Sequence, residues 1–332
     1  MSRPFKVFLF FVLCAIVLFF LCNWQGKVEL VGKSFDQGQN GIWLQHGWLG
    51  DDSWFVRAKR LDKKAFFRSD KACEELARLL KNNKIKDLFP HLCPTNPKGH
   101  IQPVDKKQAK RFLAHFRDFR VIPWVGGVLG KHAFPGKAAW RKNFVLSCQQ
   151  LLTDFPQLAG VQINIEPCPS TTKGFLTLLE QLRKVLPKGK IISVAAYPPP
   201  TKFHPFPSVH WEEEFFRQVA RRCDQMAVMM YDTALETEGF YRGLMATWTK
   251  EVLAWSEKTK VLLGVAVYDD KGVGYHHPHV ENLKNGLAGI HKSLLDFEKV
   301  PQNLQGVAIY CQWEMDEREW RTWQRQYLGR QP

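Results

Sequence analysis

The chain has 332 residues, of which 45% are hydrophobic and 24% charged; this composition is globular, and the length suits one large domain or two ordinary ones. Lysine and arginine outnumber aspartate and glutamate by 47 to 32, which gives a formal net charge of +15 and favours anionic surroundings. The basic residues are scattered, however, and the sequence has neither a zinc-finger spacing nor an RNA-recognition motif. We therefore do not expect a nucleic-acid partner.

The N-terminal segment has the pattern of an export signal. A short basic flank, MSRPFK, precedes sixteen apolar residues at 7–22, and Trp24 follows them. Because no small-residue cleavage site follows the run, we predict a transmembrane signal-anchor at 1–26, with secretion after signal cleavage as the alternative. A polar linker is predicted at 27–40. Either alternative places the rest of the chain outside the cytoplasm, in a periplasmic or extracellular location.

Short apolar segments recur along the remaining chain and alternate with segments of helical spacing. Eight such strands predict a single α/β domain, a closed (β/α)8 TIM barrel over 41–332. An open doubly wound sheet is the competing fold, but GIWLQHGWLGDD lacks the glycine-rich phosphate loop expected after its first strand. The predicted strands are GIWLQH from Gly41, IKDLFPHL from Ile85, RVIPWVGG from Arg120, GVQINIE from Gly160, KIISVAAY from Lys190, QMAVMMYD from Gln225, KVLLGVAVY from Lys260 and GVAIYCQW from Gly306.

The fourth strand carries polar residues at every second position. Gln162, Asn164 and Glu166 alternate with the apolar Val161, Ile163 and Ile165. In a barrel, alternate strand residues face the interior and the helix layer, and the interior opens at the carboxyl ends of the strands. We therefore expect Glu166 at the mouth, with the two amides beneath it. The alternative, an exposed strand with a solvated face, fits poorly with the long helical segments on both sides.

The strand motifs resemble those of family 18 glycoside hydrolases, the chitinase-like barrels. AGVQINIE resembles the DGxDxDxE signature of their fourth strand, and Met229-Met230-Tyr231-Asp232 matches the MxYD signature of the sixth. VIPWVGG, KVLLGVAVYDD and GVAIYCQWEMD resemble the third, seventh and eighth strands. The resemblance extends over roughly Gly41 to Trp323 and implies hydrolysis of N-acetylhexosamine-containing glycans.

The fourth-strand signature is degenerate in this chain. Ala159, Gln162 and Asn164 stand where the family has acids, and Gly160 and Glu166 are retained. The resemblance implies that Glu166 is the general acid and base of a retaining mechanism in which the substrate's own acetamide attacks the anomeric carbon, an exception to the two-carboxylate scheme. Asn164 would then hold the acetamide, an arrangement similar to the Asn-x-Glu of family 85 endo-β-N-acetylglucosaminidases. Burial alone would have to keep Glu166 protonated.

The resemblance also implies substrate-binding positions. Tyr231 would bond the acetamide carbonyl, and Asp232 would contact the sugar in the −1 subsite. Tyr310 occupies the place of the family's sugar-stacking tryptophan, and Trp313 is a substitute for it. Other candidates on the inward face or at strand ends are Gln162, Trp48, Trp124 and Tyr197, for which packing in the core or at the rim is the alternative.

No metal or cofactor is predicted from the sequence. His46 and His91 end the first two strands, but no H-x-H or carboxylate cluster accompanies them. The histidines of YHHPHVEN (275–282) are interpreted as a surface loop, with Glu281 capping the next helix. The cysteines outside the apolar run form no CxxC pair, and no disulfide pairing can be read from their spacing.

Two functional hypotheses follow. The first is a glycoside hydrolase that acts on a chitin-like oligosaccharide or on peptidoglycan, tethered to the membrane by its apolar segment. The second is a chitinase-like lectin that keeps the cleft and has lost catalysis, which the three missing acids favour. The partner in both cases is an N-acetylated glycan or cell-wall polymer.

Overall fold

The computed structural model describes residues 3–23, 35–202, 204–269, 272 and 274–330. Nine parallel β-segments form one sheet. The first and last segments in the order of pairing are consecutive in the chain, and we treat them as two halves of the third strand, which gives eight strands. The strands are β1 (Asn40–Leu44), β2 (Ile85–Pro90), β3 (Arg120–Val121 and Trp124–Val128), β4 (Gly160–Glu166), β5 (Ile191–Ala196), β6 (Gln225–Met229), β7 (Lys260–Ala266) and β8 (Leu304–Tyr310).

The third strand closes the sheet into a barrel. Its first segment pairs with β2 and its second with β4, and the Leu92 amide donates to the Trp124 carbonyl at 2.9 Å across the junction. The hydrogen-bonded order is therefore β3-β2-β1-β8-β7-β6-β5-β4 and back to β3. This ring of parallel strands is the arrangement that the alternation of strands and helices predicts.

The helices that follow the strands pack on the barrel through apolar stripes. In the helix Asp70–Asn82 the buried residues Ala72, Cys73, Leu76 and Leu80 recur at helical spacing. The helices are α1 (Arg3–Asn23), α2 (Asp52–Arg57), α3 (Lys64–Phe67), α4 (Asp70–Asn82), α5 (Lys106–His115), α6 (Ala138–Asp154), α7 (Lys173–Val185), α8 (Glu213–Ala220), α9 (Glu238–Trp255), α10 (Leu283–Leu294) and α11 (Glu317–Gln326).

Two hydrophobic clusters fill the two layers of the fold. The larger lies between the strands and the helices and includes Val161, Ile163 and Ile165, each at most 2% exposed. The smaller fills the inside of the barrel and includes Trp43 and Phe89. The predicted alternation of the fourth strand is thereby confirmed: its apolar side chains face the helices.

The N-terminal predictions receive less support. In the part of the chain that the structure describes, no helix meets the length and apolarity needed to cross a bilayer. Residues 27–34 of the predicted linker 27–40 lie outside the described residues, as do 24–26 of the predicted signal-anchor, whereas Phe35 and Asn40 are buried. The seven cysteines with described side chains are all free thiols.

Candidate active site

A cavity of about 1020 Å³ opens at the carboxyl ends of the strands, where a barrel of this kind places its active site. Aromatic rings and a few carboxyl groups dominate its lining. The predicted site residues in the lining are Glu166, Tyr231, Asp232, Tyr310, Trp313, Trp124 and Tyr197. The structure therefore brings most of the site residues that the sequence predicts into the lining of one cavity.

Glu166 ends β4 and accepts a hydrogen bond of 2.5 Å from the Asn164 side-chain amide. The carboxyl faces the cavity, but the surrounding protein removes enough water to raise its pKa. The bond from Asn164 opposes this shift, because it stabilises the charged form, and the negative charge of Asp232 adds to it. A carboxyl with a raised pKa is suited to donate a proton near neutrality.

The double glycine of β3 allows the backbone to lie close to Asn164. Gly126 has φ +134°, and a Cβ atom there would lie 1.8 Å from the Asn164 carbonyl oxygen. Any larger residue would have to displace β4 at the position that bonds Glu166. The Asn164 side-chain oxygen is buried without a hydrogen-bond partner among the described residues, and Asn164 itself is not among the residues that line the cavity.

Tyr231 and Asp232 follow β6, two strands along the ring from β4, and line the same cavity as Glu166. The Tyr231 ring stacks on Tyr310 with centroids 5.5 Å apart. Asp232 has a left-handed backbone, φ +63°, which aspartate adopts more readily than most residues. Its carboxylate accepts a short hydrogen bond from the hydroxyl of Tyr268, a lining residue that the sequence analysis missed.

Trp43 of β1 was also missed. Its ring lines the cavity and makes edge contacts with Tyr310 at 5.8 Å and with Trp124 at 6.5 Å. The signal was present in the sequence, since Trp43 alternates with the outward-facing Ile42 and Leu44 of GIWLQH. Trp43 thus belongs to the aromatic floor for which Tyr310 and Trp313 were proposed.

Gln162 lies beneath the floor rather than in the cavity lining, so it is not in position to bind substrate directly. Its side-chain oxygen accepts the Trp43 indole N–H at 2.8 Å, and its amide donates to Ser193 at 3.2 Å. Ser193 donates to Gln225 at 2.7 Å, and Gln225 donates to the buried Asp87 at 2.6 Å. This chain of bonds explains why a buried strand carries an inward-facing amide: it orients Trp43.

Trp48, predicted as a sugar platform, is instead part of the core. It is 2% exposed and packs on Phe67 with ring centroids 4.9 Å apart. Trp48 lies in the loop after β1, and this loop directs the ring towards α5, where its centroid is 6.4 Å from that of Phe112. Trp48 follows a strand end in sequence without lying at the mouth of the barrel.

His46 and His91 stack on each other with ring centroids 3.6 Å apart. His46 bonds Asp51 at 2.9 Å, and burial lowers the pKa of both imidazoles. Neither ring is among the residues that line the cavity. The pair packs behind Trp124, which it contacts through His91 at 4.0 Å.

The interpretation of 275–282 as a surface loop was wrong for two of its residues. The side chains of His276 and Glu281 are fully buried beside Asp232. Helix α10 is capped by Asn282, whose side chain accepts the Asn285 N–H, so Glu281 is not the cap. Asp232, His276 and Glu281 form a group of donor atoms that lie within 4.8 Å of one another and could hold a metal ion.

Comparisons with known proteins agree with this fold. No family model and no curated protein matches the sequence. The spore cortex-lytic enzyme SleL of Bacillus cereus superposes with a TM-score of 0.58 at 9% identity, over 89% of this chain and 75% of that one. The chain has the fold of a GH18 chitinase.

Two solved chitinases support that statement. A class V chitinase of Pseudomonas fluorescens has a TM-score of 0.55 at 12% identity, over 77% of this chain and 96% of that one. The family GH18 chitinase of Cycas revoluta, solved with allosamidin, has a TM-score of 0.54 at 13% identity, over 87% and 99%. The predicted resemblance to chitinase-like barrels is confirmed at the level of the fold.

Proposed function

We propose that the protein hydrolyses glycosidic bonds in N-acetylhexosamine-containing glycans by a retaining, substrate-assisted mechanism. The observation that carries the proposal is the arrangement at one cavity: Glu166 with its raised pKa, the Asn164 amide bonded to it, and Tyr231 in the same lining. A GH18-like barrel with an aromatic-walled cleft is a suitable frame for such a site.

In the proposed reaction the protonated Glu166 donates its proton to the glycosidic oxygen as the bond to the anomeric carbon breaks. The carbonyl oxygen of the substrate's acetamide attacks that carbon and forms an oxazolinium ion, which keeps the N–H proton of the acetamide. Asn164 holds the acetamide through its free side-chain oxygen, and the Tyr231 hydroxyl donates to the acetamide carbonyl. Glu166, now ionised, then takes a proton from the water that opens the ring, which completes hydrolysis with retention.

The proposed substrate is chitin-like oligosaccharide or peptidoglycan. The solved neighbours are described as chitinases and as a spore cortex-lytic enzyme. The net charge of +15 favours an anionic polymer such as peptidoglycan. We also propose action outside the cytoplasm, which rests on the N-terminal sequence pattern; a membrane anchor has no support from the described helices.

A chitinase-like lectin is the second candidate, and one contact favours it. The bond from Asn164 to Glu166 stabilises the carboxylate, the form that cannot act as the acid. Asn164 also cannot balance the positive charge of an oxazolinium ion, as an aspartate would. A lectin would need only the aromatic cleft and these polar groups.

Glu166→Gln separates the two candidates. A hydrolase should lose roughly 10²–10⁴-fold in kcat on chitooligosaccharides or peptidoglycan and keep its affinity for them, because only proton transfer is removed. The matched control is Glu314→Gln, which neutralises an exposed carboxyl in the same cavity lining and should leave kcat unchanged. Binding without turnover in the unmodified protein would favour the lectin, and unchanged turnover in Glu166→Gln would refute the proposed mechanism.

A further inference from the structure

The ring of His276 is held so that one nitrogen faces the protein backbone. It stacks on Tyr268 with centroids 3.9 Å apart, and its Nε2 atom lies 3.0 Å from the Tyr268 carbonyl oxygen. Since a carbonyl only accepts, Nε2 must carry the hydrogen. The other nitrogen, Nδ1, therefore presents a lone pair in the neutral ring.

That lone pair is directed at two carboxylates. Nδ1 lies 3.2 Å from Asp232 Oδ1 and 3.8 Å from Glu281 Oε2. It is fully buried and has no aligned hydrogen bond among the described residues. Two carboxylates and an unprotonated ring nitrogen that face one another repel, so a cation, either a proton on Nδ1 or a metal ion, is needed to stabilise the group.

No lysine or arginine of the described chain forms an ion pair with Asp232 or Glu281. The ionic contact of each of these two carboxylates is with His276. The separations suit a bound metal, because ligand atoms about 2.0–2.2 Å from a tetrahedral zinc ion lie roughly 3.3 Å apart. Imidazole nitrogen together with carboxylate oxygen suits Zn²⁺ and similar transition metals, whereas Mg²⁺ and Ca²⁺ prefer oxygen alone.

Each of the three side chains is also oriented by a second partner. Tyr268 bonds both the Asp232 carboxylate through its hydroxyl and the His276 ring through its carbonyl. The Thr233 amide donates to Glu281 Oε2 at 2.9 Å. Such outer partners are typical of protein metal sites, where they fix the direction of each ligand.

We propose that Asp232, His276 and Glu281 bind a divalent transition metal of the Zn²⁺ class. The ligand atoms are Asp232 Oδ1, His276 Nδ1 and Glu281 Oε2, and water completes the coordination. The metal would tie the segment after β7 to the residue that follows β6, at the wall of the cavity. Asp232 is also the residue assigned to the −1 sugar, but metal binding to the three side chains can be measured without a substrate.

Zn²⁺ binding to the full chain, first dialysed against chelator, is the test. Isothermal titration and elemental analysis should give one Zn²⁺ per chain. Thermal unfolding should give a higher Tm with Zn²⁺ than without it. His276→Gln and Glu281→Gln should each weaken binding by more than the roughly 10–100-fold loss that follows removal of an outer partner. The control is the double variant His277→Gln/His279→Gln, which removes the neighbouring loop histidines and should retain the site.

A second measurement does not depend on the variants folding. Nitrogen chemical shifts of the His276 ring should report a metal-bound Nδ1 when Zn²⁺ is added. A ring protonated at both nitrogens and indifferent to Zn²⁺ would show that a proton neutralises the carboxylates, and the proposal would be overturned. Binding lost only in His277→Gln/His279→Gln would overturn it equally, because the ion would then lie on the loop surface.

Discussion

The side-chain amide of Asn164 donates a hydrogen bond to Glu166, with Nδ2 2.5 Å from Oε1. The two residues share the inward face at the end of β4 and act as one unit. The amide stabilises the charged carboxyl, whereas burial and the charge of Asp232 favour the neutral one. Burial is the largest of these effects, and the pKa of Glu166 is raised as a result. The degenerate motif therefore still yields a carboxyl suited to acid catalysis.

Asn164→Asp should raise the pKa of Glu166 further. A second carboxyl in place of the amide adds a like charge and removes a hydrogen bond to the ionised form, so both changes raise the pKa of Glu166. We expect higher kcat and an alkaline limb of the pH–rate profile displaced to higher pH. Asn82→Asp, an exposed change of the same chemistry on α4, should alter neither. An alkaline limb at lower pH would contradict the proposed coupling.

The raised pKa of Glu166 also predicts how stability depends on pH. The folded state holds the proton above the ordinary value of 4.5, where the unfolded chain releases it. The folded state therefore binds more protons in this window, and the free energy of unfolding falls as pH rises from 4.5 through the folded pKa. Glu166→Gln has no such proton to lose.

Urea unfolding of both proteins between pH 4 and 8 measures this difference. The stability of Glu166→Gln relative to the unmodified protein should rise with pH across the window and then level off. A difference that is independent of pH would show that Glu166 titrates alike in the folded and unfolded chain. A difference that falls with pH would mean that the bond from Asn164 outweighs burial.

Local patterns in the sequence were sufficient for the barrel and for the residues on its strands. The alternation around Asn164 and Glu166 specifies which side chains face inward, because a strand has a period of two. Tyr231 and Asp232 were found through the resemblance of Met229-Met230-Tyr231-Asp232 to the MxYD signature. The count of eight strands predicted a closed barrel, but not that the two segments of β3 would join its ends.

Contacts between distant segments could not be predicted in this way. Gln162 was assigned to the substrate, but it bonds Trp43, 119 positions away. Trp48 and His276 lie in loops, where a side chain's burial depends on how the loop packs and not on any period. A buried His276 looks the same in sequence as its exposed neighbour His279.

The hydrogen bond between Gln162 and Trp43 allows an effect on stability to be distinguished from an effect on glycan binding. Gln162→Leu leaves the buried indole N–H without an acceptor, which should cost about 1–3 kcal/mol of stability. It should also weaken glycan binding, because the Trp43 ring loses the bond that orients it. Gln108→Leu is the control: this buried glutamine donates to two backbone carbonyls and accepts from Arg111, and none of these residues lines the cavity.

Both variants should be less stable by denaturant unfolding, and only Gln162→Leu should change glycan affinity by titration calorimetry. Equal affinities in the two variants would mean that Trp43 keeps its position without Gln162. Loss of affinity in both would assign the effect to general destabilisation of the barrel.

Trp313 should act as a sugar platform, whereas Trp48 should not. The Trp313 ring lies in the cavity lining, half-buried, and meets the Tyr310 ring at a steep angle with centroids 5.8 Å apart. In a Glu166→Gln background, which prevents turnover, Trp313→Ala should weaken binding of chitooligosaccharide or peptidoglycan fragments about tenfold, or ~1.4 kcal/mol. Trp48→Phe should lower Tm, because it removes a buried ring from the core, and leave affinity unchanged. Unchanged affinity in Trp313→Ala would exclude this ring from the binding surface, and loss of affinity in Trp48→Phe would show that the floor depends on the packing behind it.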